Sequence, residues 1–403
     1  MSQPQPAKAA RRPFSFRRLI FWGHLILGIV TGVVVFIMSA TGIAIAFEEE
    51  MLAWADREVS HVSPPAEAAA RLPVEALVER VTAAHPDFVP TSITVFSEPD
   101  HAHAFYAGRE GPLYVNPYTG ETRESEAHDL HHFIHYMEEW HRWLAMEGDA
   151  FPVGRMITGV ANIGFLLLCI SGLYLWLPRR WSWRALRPIL WFVKGYKGKA
   201  RDYNWHNVLG FWSLPVLVVL AATAVVISFR WGHNLPFQLA GETPPEARNY
   251  GMMRTPPAEV PTPPEGAQRV PLDVALTEVS NAYPEWVNIG LELPTPEQLA
   301  AETPDPLHLG VTVPDYMPSR AYIPIESDPF TGTILKTTHF ETRSPGLQAR
   351  VWIRFLHTGG AFGFWGKLIA SIACLASLVL VYTGFALTWR RWLRSQKKKA
   401  KTA

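Results

Sequence analysis

Cysteine is almost missing from this chain. The two present, Cys169 and Cys374 among 403 residues, both fall inside apolar runs. That excludes a disulfide framework and a thiolate metal centre and leaves packing as their role. No Cys-x-x-Cys-His run occurs, so any haem held here is b-type and noncovalent. Net charge is scarce as well. The 37 Lys and Arg nearly cancel the 36 Asp and Glu, for a formal +1, and no nucleic-acid partner is expected. Acidic residues are absent where basic ones gather: segments 1–18, 178–205 and the tail from Arg390 hold 20 of the 37 basic residues against one acid, Asp202.

Apolar residues are abundant, at 48%, with 16 Trp. Four runs, 19–47, 153–177, 209–229 and 368–389, each approach the ~20 residues that a helix needs to cross ~30 Å of hydrocarbon. Basic residues gather on the cytoplasmic side of such proteins. The reading is therefore a basic N-terminus (1–18), a first span (19–47), an outer segment (48–150), a second span (151–178), a basic loop (179–205), a third span (206–230), a second outer segment (231–356), a fourth span (357–390) and a basic tail (391–403). Both termini are cytoplasmic in this reading, and membrane lipids are the immediate surroundings. Arg11-Arg12-Pro13-Phe14-Ser15-Phe16 superficially resembles a twin-arginine signal. The apolar run after it is too long for a signal peptide and shows no small-residue cleavage site before Glu48, so it reads as a retained helix.

The chain repeats itself. Asn116-Pro117-Tyr118-Thr119-Gly120 returns 212 positions later as Asp328-Pro329-Phe330-Thr331-Gly332, and the same offset carries Ser171-Gly172 onto Thr383-Gly384 and Arg155 onto Lys367. Two similar halves of this length are expected to pack about a pseudo-twofold axis. The outer segments are duplicates too. A helical stretch opens at Pro73-Val74-Glu75 and closes at His85-Pro86; its copy opens at Pro271-Leu272-Asp273 and closes at Tyr283-Pro284. Strand-like runs follow at 93–96 and 105–106 in the first copy and at 287–291 and 309–313 in the second. The expected fold is a membrane α-helical bundle of four transmembrane helices carrying two outer α+β modules, each a helix laid on its own antiparallel sheet. Proline-rich 243–271 reads as an extended linker.

Histidines recur at matching places. His24 lies in Trp22-Gly23-His24 and His206 in Trp205-His206-Asn207. Gly28 and Gly210 follow each by four residues, and Thr41 and Thr223 by seventeen. Towards the other membrane face, His141 precedes the second span and His357 the fourth; both are followed by Ala-Phe, with five extra residues in the first copy. Bis-imidazole haem ligation requires two such nitrogens on facing helices of a bundle, with small residues leaving room for the ring. Arg155 and Lys367 would suit haem propionates, or equally would snorkel to headgroups. His128, His131, His132 and His135 crowd upstream of His141. His135 is a rival to His141 as the outer ligand. His131 and His135, one helical turn apart, suit either a surface metal site or a solvated polar face. Trp140, Trp143, Trp352 and Phe362 would line an outer haem or anchor the chain at the interface.

Trp-x-His on the first helix, His-Arg-Trp-Leu before the second, Ser-Gly-Leu-Tyr-Leu-Trp-Leu-Pro-Arg-Arg closing it, and the Asn-Pro-Tyr-Thr-Gly-Glu and Asp-Pro-Phe-Thr-Gly turns together resemble the PepSY-associated transmembrane family over nearly the whole chain. The resemblance implies that the outer modules are periplasmic PepSY domains and that the membrane is the bacterial inner membrane. It implies two haem b groups, with His24, His206, His141 and His357 as axial ligands. It also implies the activity of a siderophore-iron reductase, passing electrons across the membrane to a ferric siderophore or other ferric chelate in the periplasm. The chain lacks the fused flavin reductase domain of some relatives, since the tail after Arg391 is short, so the expected donor is a quinol or a separate cytoplasmic flavoprotein. Two other classes compete. A non-catalytic, membrane-anchored PepSY binding or regulatory protein needs no intramembrane histidine. A component of iron-uptake transport would need a substrate path, for which four helices with no break beyond Pro215 leave little room.

Overall fold

A computed structural model describes residues 15–65, 70–108, 111–178, 181–245, 257–301, 304–314, 316–318 and 322–402. The arginine pairs 11–12 and 179–180 and Pro256 of the linker lie outside the described residues. The chain divides into two compact units, one formed by 1–40, 141–225 and 371–403, the other by 41–140 and 226–370.

Along the chain, α1 (Phe16–Ile45) and a short α2 (Glu48–Ala55) lead to α3 (Val74–Ala84). Strands β1 (Ser92–Phe96), β2 (His103–Tyr106), β3 (Leu113–Val115) and β4 (Thr122–Glu124) come next, then α4 (His128–Trp143) and α5 (Phe151–Trp176). A short α6 (Trp183–Leu190) precedes α7 (Gly198–Ser228) and α8 (Arg230–Leu239). The second copy then follows as α9 (Leu272–Ala282), β5 (Asn288–Glu292), α10 (Pro296–Ala300), β6 (Leu307–Thr312), β7 (Ile323–Ser327), β8 (Ile334–Thr337), α11 (Pro345–Thr358) and α12 (Gly363–Thr402). α1, α5, α7 and α12 are long and apolar enough to cross a membrane, and the protein is a multi-pass membrane protein. α7 continues through Pro215.

In the first unit the four helices meet through small residues, as expected where lipid tails remove the hydrophobic drive and backbones must approach closely. A Cβ on Gly32 of α1 would lie 2.9 Å from the Phe385 ring of α12, and one on Gly164 of α5 would lie 2.7 Å from Thr31 of α1. Cys169, Leu217 and Ala373 pack α5, α7 and α12 together, the packing role expected for that cysteine. Polar groups fasten the ends. Asp202, fully buried, accepts from Arg201 and from Arg390 of α12 at 3.1 Å or less, pairing the one acid of the basic segments with two of its cations. Asn204 accepts from the backbone N–H of Val193 and donates to the carbonyls of Pro188 and Trp191, fixing the end of α6 to α7.

In the second unit the expectation of two separate modules needs correction. β1 and β5 pair antiparallel, Ser92 opposite Glu292 through Phe96 opposite Asn288, so the halves form one eight-stranded sheet in the order β4-β3-β2-β1-β5-β6-β7-β8. Thr94 faces Gly290 at the centre of that register. The two residues are equivalent in the repeat, so the pseudo-twofold axis passes through this pair. The physical reason is the edge: a lone half-sheet would leave the row of N–H and C=O groups on β1 unpaired, and pairing with its copy satisfies them. α3 and α9 lie on one face of the sheet over a shared core that includes Leu77, Val81, Phe105, Val279, Leu291 and Val311. Each helix also caps the other. The Val74 N–H donates to Asp273 Oδ2 at 2.8 Å, and the Leu272 N–H donates to Glu75 Oε1. Burial, with Glu75 nearby, holds the Asp273 carboxyl above the usual carboxylate range.

The repeated turns close β3 onto β4 and β7 onto β8. Asn116 Oδ1 accepts from the Tyr118 N–H and Asp328 Oδ1 from the Phe330 N–H, and Gly120 and Gly332 take the left-handed conformation at φ +72° and +75° that the turn demands. Buried Asp56 accepts from Tyr114, Ser125 and the Ala127 N–H, which anchors the start of α4. The turns between α4 and α5 and between α11 and α12 repeat as well. A Cβ on Gly154 would lie 2.1 Å from the Trp143 carbonyl oxygen, and one on its repeat equivalent Gly366 would lie 2.1 Å from the Gly359 carbonyl oxygen. The two turns are the same device, written twice.

Candidate functional site

His24 on α1 and His206 on α7 line one cavity of about 640 Å³ inside the first unit. That volume falls in the roughly 300–1,000 Å³ range of small-molecule and cofactor sites. Its wall is mainly aliphatic and aromatic. Gly28, Gly32, Gly172, Gly210 and Gly384 contribute bare backbone, while Trp176 and Phe211, stacked with ring centroids 4.4 Å apart, close one side. A Cβ on Gly172 would stand 3.3 Å from His24 Cε1, and one on Gly384 3.7 Å from His206 Cε1. Both glycines therefore keep space beside an imidazole.

The two rings are held in the same way. His24 Nδ1 is 2.9 Å from Ser171 Oγ, and His206 Nδ1 is 2.9 Å from Thr383 Oγ1. Each hydroxyl has one proton, and that proton is committed to a carbonyl of its own helix: Ser171 donates to Leu167 at 2.6 Å and Thr383 to Val379 at 2.8 Å. The hydroxyl oxygens must then accept from Nδ1–H of the imidazoles. This assigns the tautomer, with the proton on Nδ1 and a bare lone pair on Nε2. Ser171 and Thr383 were recognisable as a repeat pair in the sequence; their role as imidazole holders was not, because it depends on which helices face each other.

The other expected residues are placed as follows. His141 is near the end of α4, with Nδ1 2.9 Å from the Met38 carbonyl oxygen. A carbonyl only accepts, so this ring too carries a proton on Nδ1. His357 occupies the next-to-last position of α11. His135 stands between two acids of its own helix, Nε2 at 3.5 Å from Glu139 and Nδ1 at 3.9 Å from Glu138. Lys367, buried, binds both carboxylate oxygens of Glu50 at 2.7 Å, and Arg155 stacks over the Phe151 ring. Trp143 packs edge-on against Phe151, and Trp352 lies 6.3 Å from Phe362 between ring centroids.

Four cations that sequence reasoning counted only as orientation signals line the same cavity: Arg17, Arg18, Lys199 and Arg391. Arg17 donates to the carbonyls of Leu175 and Leu177 at the end of α5. Arg391 lies over the rings of both Phe21 and Trp22, at 4.8 and 4.7 Å from their centroids. An apolar slot with two prepared imidazole nitrogens and a cationic rim suits a flat, metal-centred ligand with anionic substituents. The family model described as the PepSY-associated TM region matches residues 21–391 of the chain. No curated protein matches it.

Proposed function

This chain belongs to the PepSY-associated TM family, and on that premise we propose that it is a haem b electron-transfer protein of the bacterial inner membrane, reducing a ferric siderophore or another ferric chelate on the outer side. The observation that carries the reading is the pair of imidazoles, His24 and His206, fixed by Ser171 and Thr383 with Nε2 bare in a glycine-lined cavity. Haem b, when bound, supplies one-electron redox chemistry.

The residues around the cavity fit that group. His24 and His206 would hold its iron. The Nδ1–H donations to hydroxyls orient the rings and raise the basicity of the ligating nitrogens, as outer partners of metal-bound histidines do. Gly172 and Gly384 leave room for the imidazole planes. Arg18, Lys199 and Arg391 line the same cavity and would pair with its propionates. Apolar helix faces exclude water, which lowers the local dielectric and makes these few charges effective in tuning a potential. The family resemblance would give a second haem to His141 and His357, which stand near the ends of α4 and α11. His135 is less suited, since both its nitrogens face carboxylates. One electron per ferric ion gives ferrous iron, which hard oxygen ligands bind far less tightly. The donor would be a quinol or a cytoplasmic flavoprotein.

The test is spectroscopic. Purified protein is expected to show a reducible b-type spectrum of low-spin, bis-imidazole haem, and His24→Ala or His206→Ala is expected to remove one haem and leave the other. A colourless protein that takes up no haem on reconstitution would overturn the proposal, and loss of both haems in either variant would overturn the pairing.

A further inference from the structure

The outer helix α4 carries a second constellation that the haem reading leaves unused. At about 100° per residue, His128, His131, His132 and His135 fall within an arc of about 100°, so four imidazoles share one face over two turns. His128 and His132 are exposed. Their rings meet edge to face with centroids 4.4 Å apart, and the two Nε2 atoms are 3.1 Å apart.

From this geometry we propose that His128 and His132 chelate a divalent first-row transition cation through their Nε2 atoms. Two nitrogens each about 2.0–2.1 Å from a metal and 3.1 Å from one another subtend about 95–100° at the ion, between the octahedral and tetrahedral values. Without metal, the contact is satisfied by one Nε2–H donating to the other ring. Binding needs that proton only to move to Nδ1 of the same solvent-exposed ring, so no strong base is required. Spacing of four residues places both rings over the same turn, and the ion is gained without moving the backbone. Neutral imidazole is the ligand that borderline cations of this class prefer over carboxylate or water.

The surroundings favour a cation. Glu138 and Glu139, next to His135, add negative charge one to two turns along the helix. Among the described residues no three His, Cys, Asp or Glu side chains converge on one point. The ion would therefore complete its coordination with water and exchange readily, as a delivery or capture site requires and a structural site does not.

Zn(II) is the probe. Full-length protein without a polyhistidine tag is titrated calorimetrically in detergent, haem-free and haem-loaded. One Zn(II) per chain is expected in both states, and His128→Ala and His132→Ala are each expected to weaken it by about tenfold or more. His61→Ala, removing an exposed histidine elsewhere in the same unit, is expected to bind as the parent does. Absence of stoichiometric binding, or binding that survives both His128→Ala and His132→Ala, overturns the site. Because haem-free protein is one arm, failure of the haem proposal leaves this result readable.

Discussion

Single protons decide the chemistry of the histidines that line the cavity. The hydroxyls of Ser171 and Thr383 choose the tautomer of His24 and His206 by already donating elsewhere, and removing them would free the rings to turn. Ser171→Ala and Thr383→Val are each expected to weaken haem retention by roughly 10–100-fold, the usual cost of losing an outer partner of a metal-bound histidine, while Ser171→Thr keeps it; haem content after extended dialysis against apomyoglobin measures both. Elsewhere a carboxylate is held at a cost. The Asp273 carboxyl is raised mainly by burial yet caps α3, so its folded-state pKa lies above its unfolded one. Its favourable contribution is fully present below the unfolded pKa and is lost as pH rises through the folded pKa. Asp273→Asn keeps an acceptor and drops the charge, so at pH 7 it is expected to leave the thermal midpoint unchanged or raised, whereas Asp273→Ala loses about 1 kcal/mol with the cap. His233 behaves oppositely. Burial, then the Arg350 guanidinium, pushes it down to about 4, and it accepts from Arg350 Nε at 2.9 Å. The stability this neutral ring contributes is present above 6.5 and is lost as pH falls from 6.5 towards 4, which thermal melts across that interval would register.

Among the elements, the long helices were legible because an apolar run of twenty residues has few alternative meanings. The module helices were legible from Pro73 and Pro271, which stand as N-caps, and from His85 and Tyr283, which stand as C-caps. Strands β1, β2, β5 and β6 were readable to within two residues at each end. β3, β4, β7 and β8 were not, since three to five residues flanked by turns carry too little alternation to register. α4 was legible as a polar helix around His131 and His135, but its start was not, because that end is anchored by Asp56, more than seventy residues earlier. The helix-to-helix turns were invisible as structure, although Gly154 and Gly366 sit at the repeat offset. Gly154→Ala and Gly366→Ala each force a Cβ against a carbonyl oxygen that cannot yield like a side chain. Each is expected to cost about 1–3 kcal/mol or more, and the two costs should be similar, as seen in the thermal midpoint or in expression of folded protein.

At the scale of the whole molecule, the repeat predicted two halves, which are visible in the reciprocal caps of α3 and α9 and in the matching hydroxyl partners of His24 and His206. The merging of the sheets was beyond the sequence. Nothing in Ser92–Phe96 distinguishes an edge strand from a central one, and pairing partners far apart in the chain leave no local mark. The cationic rim of the cavity escaped for another reason: Arg17, Arg18, Lys199 and Arg391 fulfil the orientation rule so well that a second role was masked. If the β1–β5 pairing unites the core of the second unit, Val95→Pro, which deletes an N–H directed at β5 beside the centre of that register, is expected to lower the thermal midpoint of that unit while haem content is retained. Coincident loss of both would show that the two units stand or fall together.

The pairing of β1 with β5 has a further meaning. A strand that meets its own copy antiparallel, with Thr94 opposite its equivalent Gly290, has the self-complementary contact of a twofold homodimer. The molecule has the architecture of two such chains joined end to end by gene fusion. Once joined, the halves were free to diverge. His128 and His132 have no counterparts at the corresponding turns of α11, which reads Pro345-Gly346-Leu347-Gln348-Ala349 where it begins, and Glu50 pairs with Lys367 where the other half has Arg155 against Phe151. The pair of imidazoles held by Ser171 and Thr383 recurs in both halves, whereas the histidine face of α4 stands in one half alone, where a true homodimer would carry it twice.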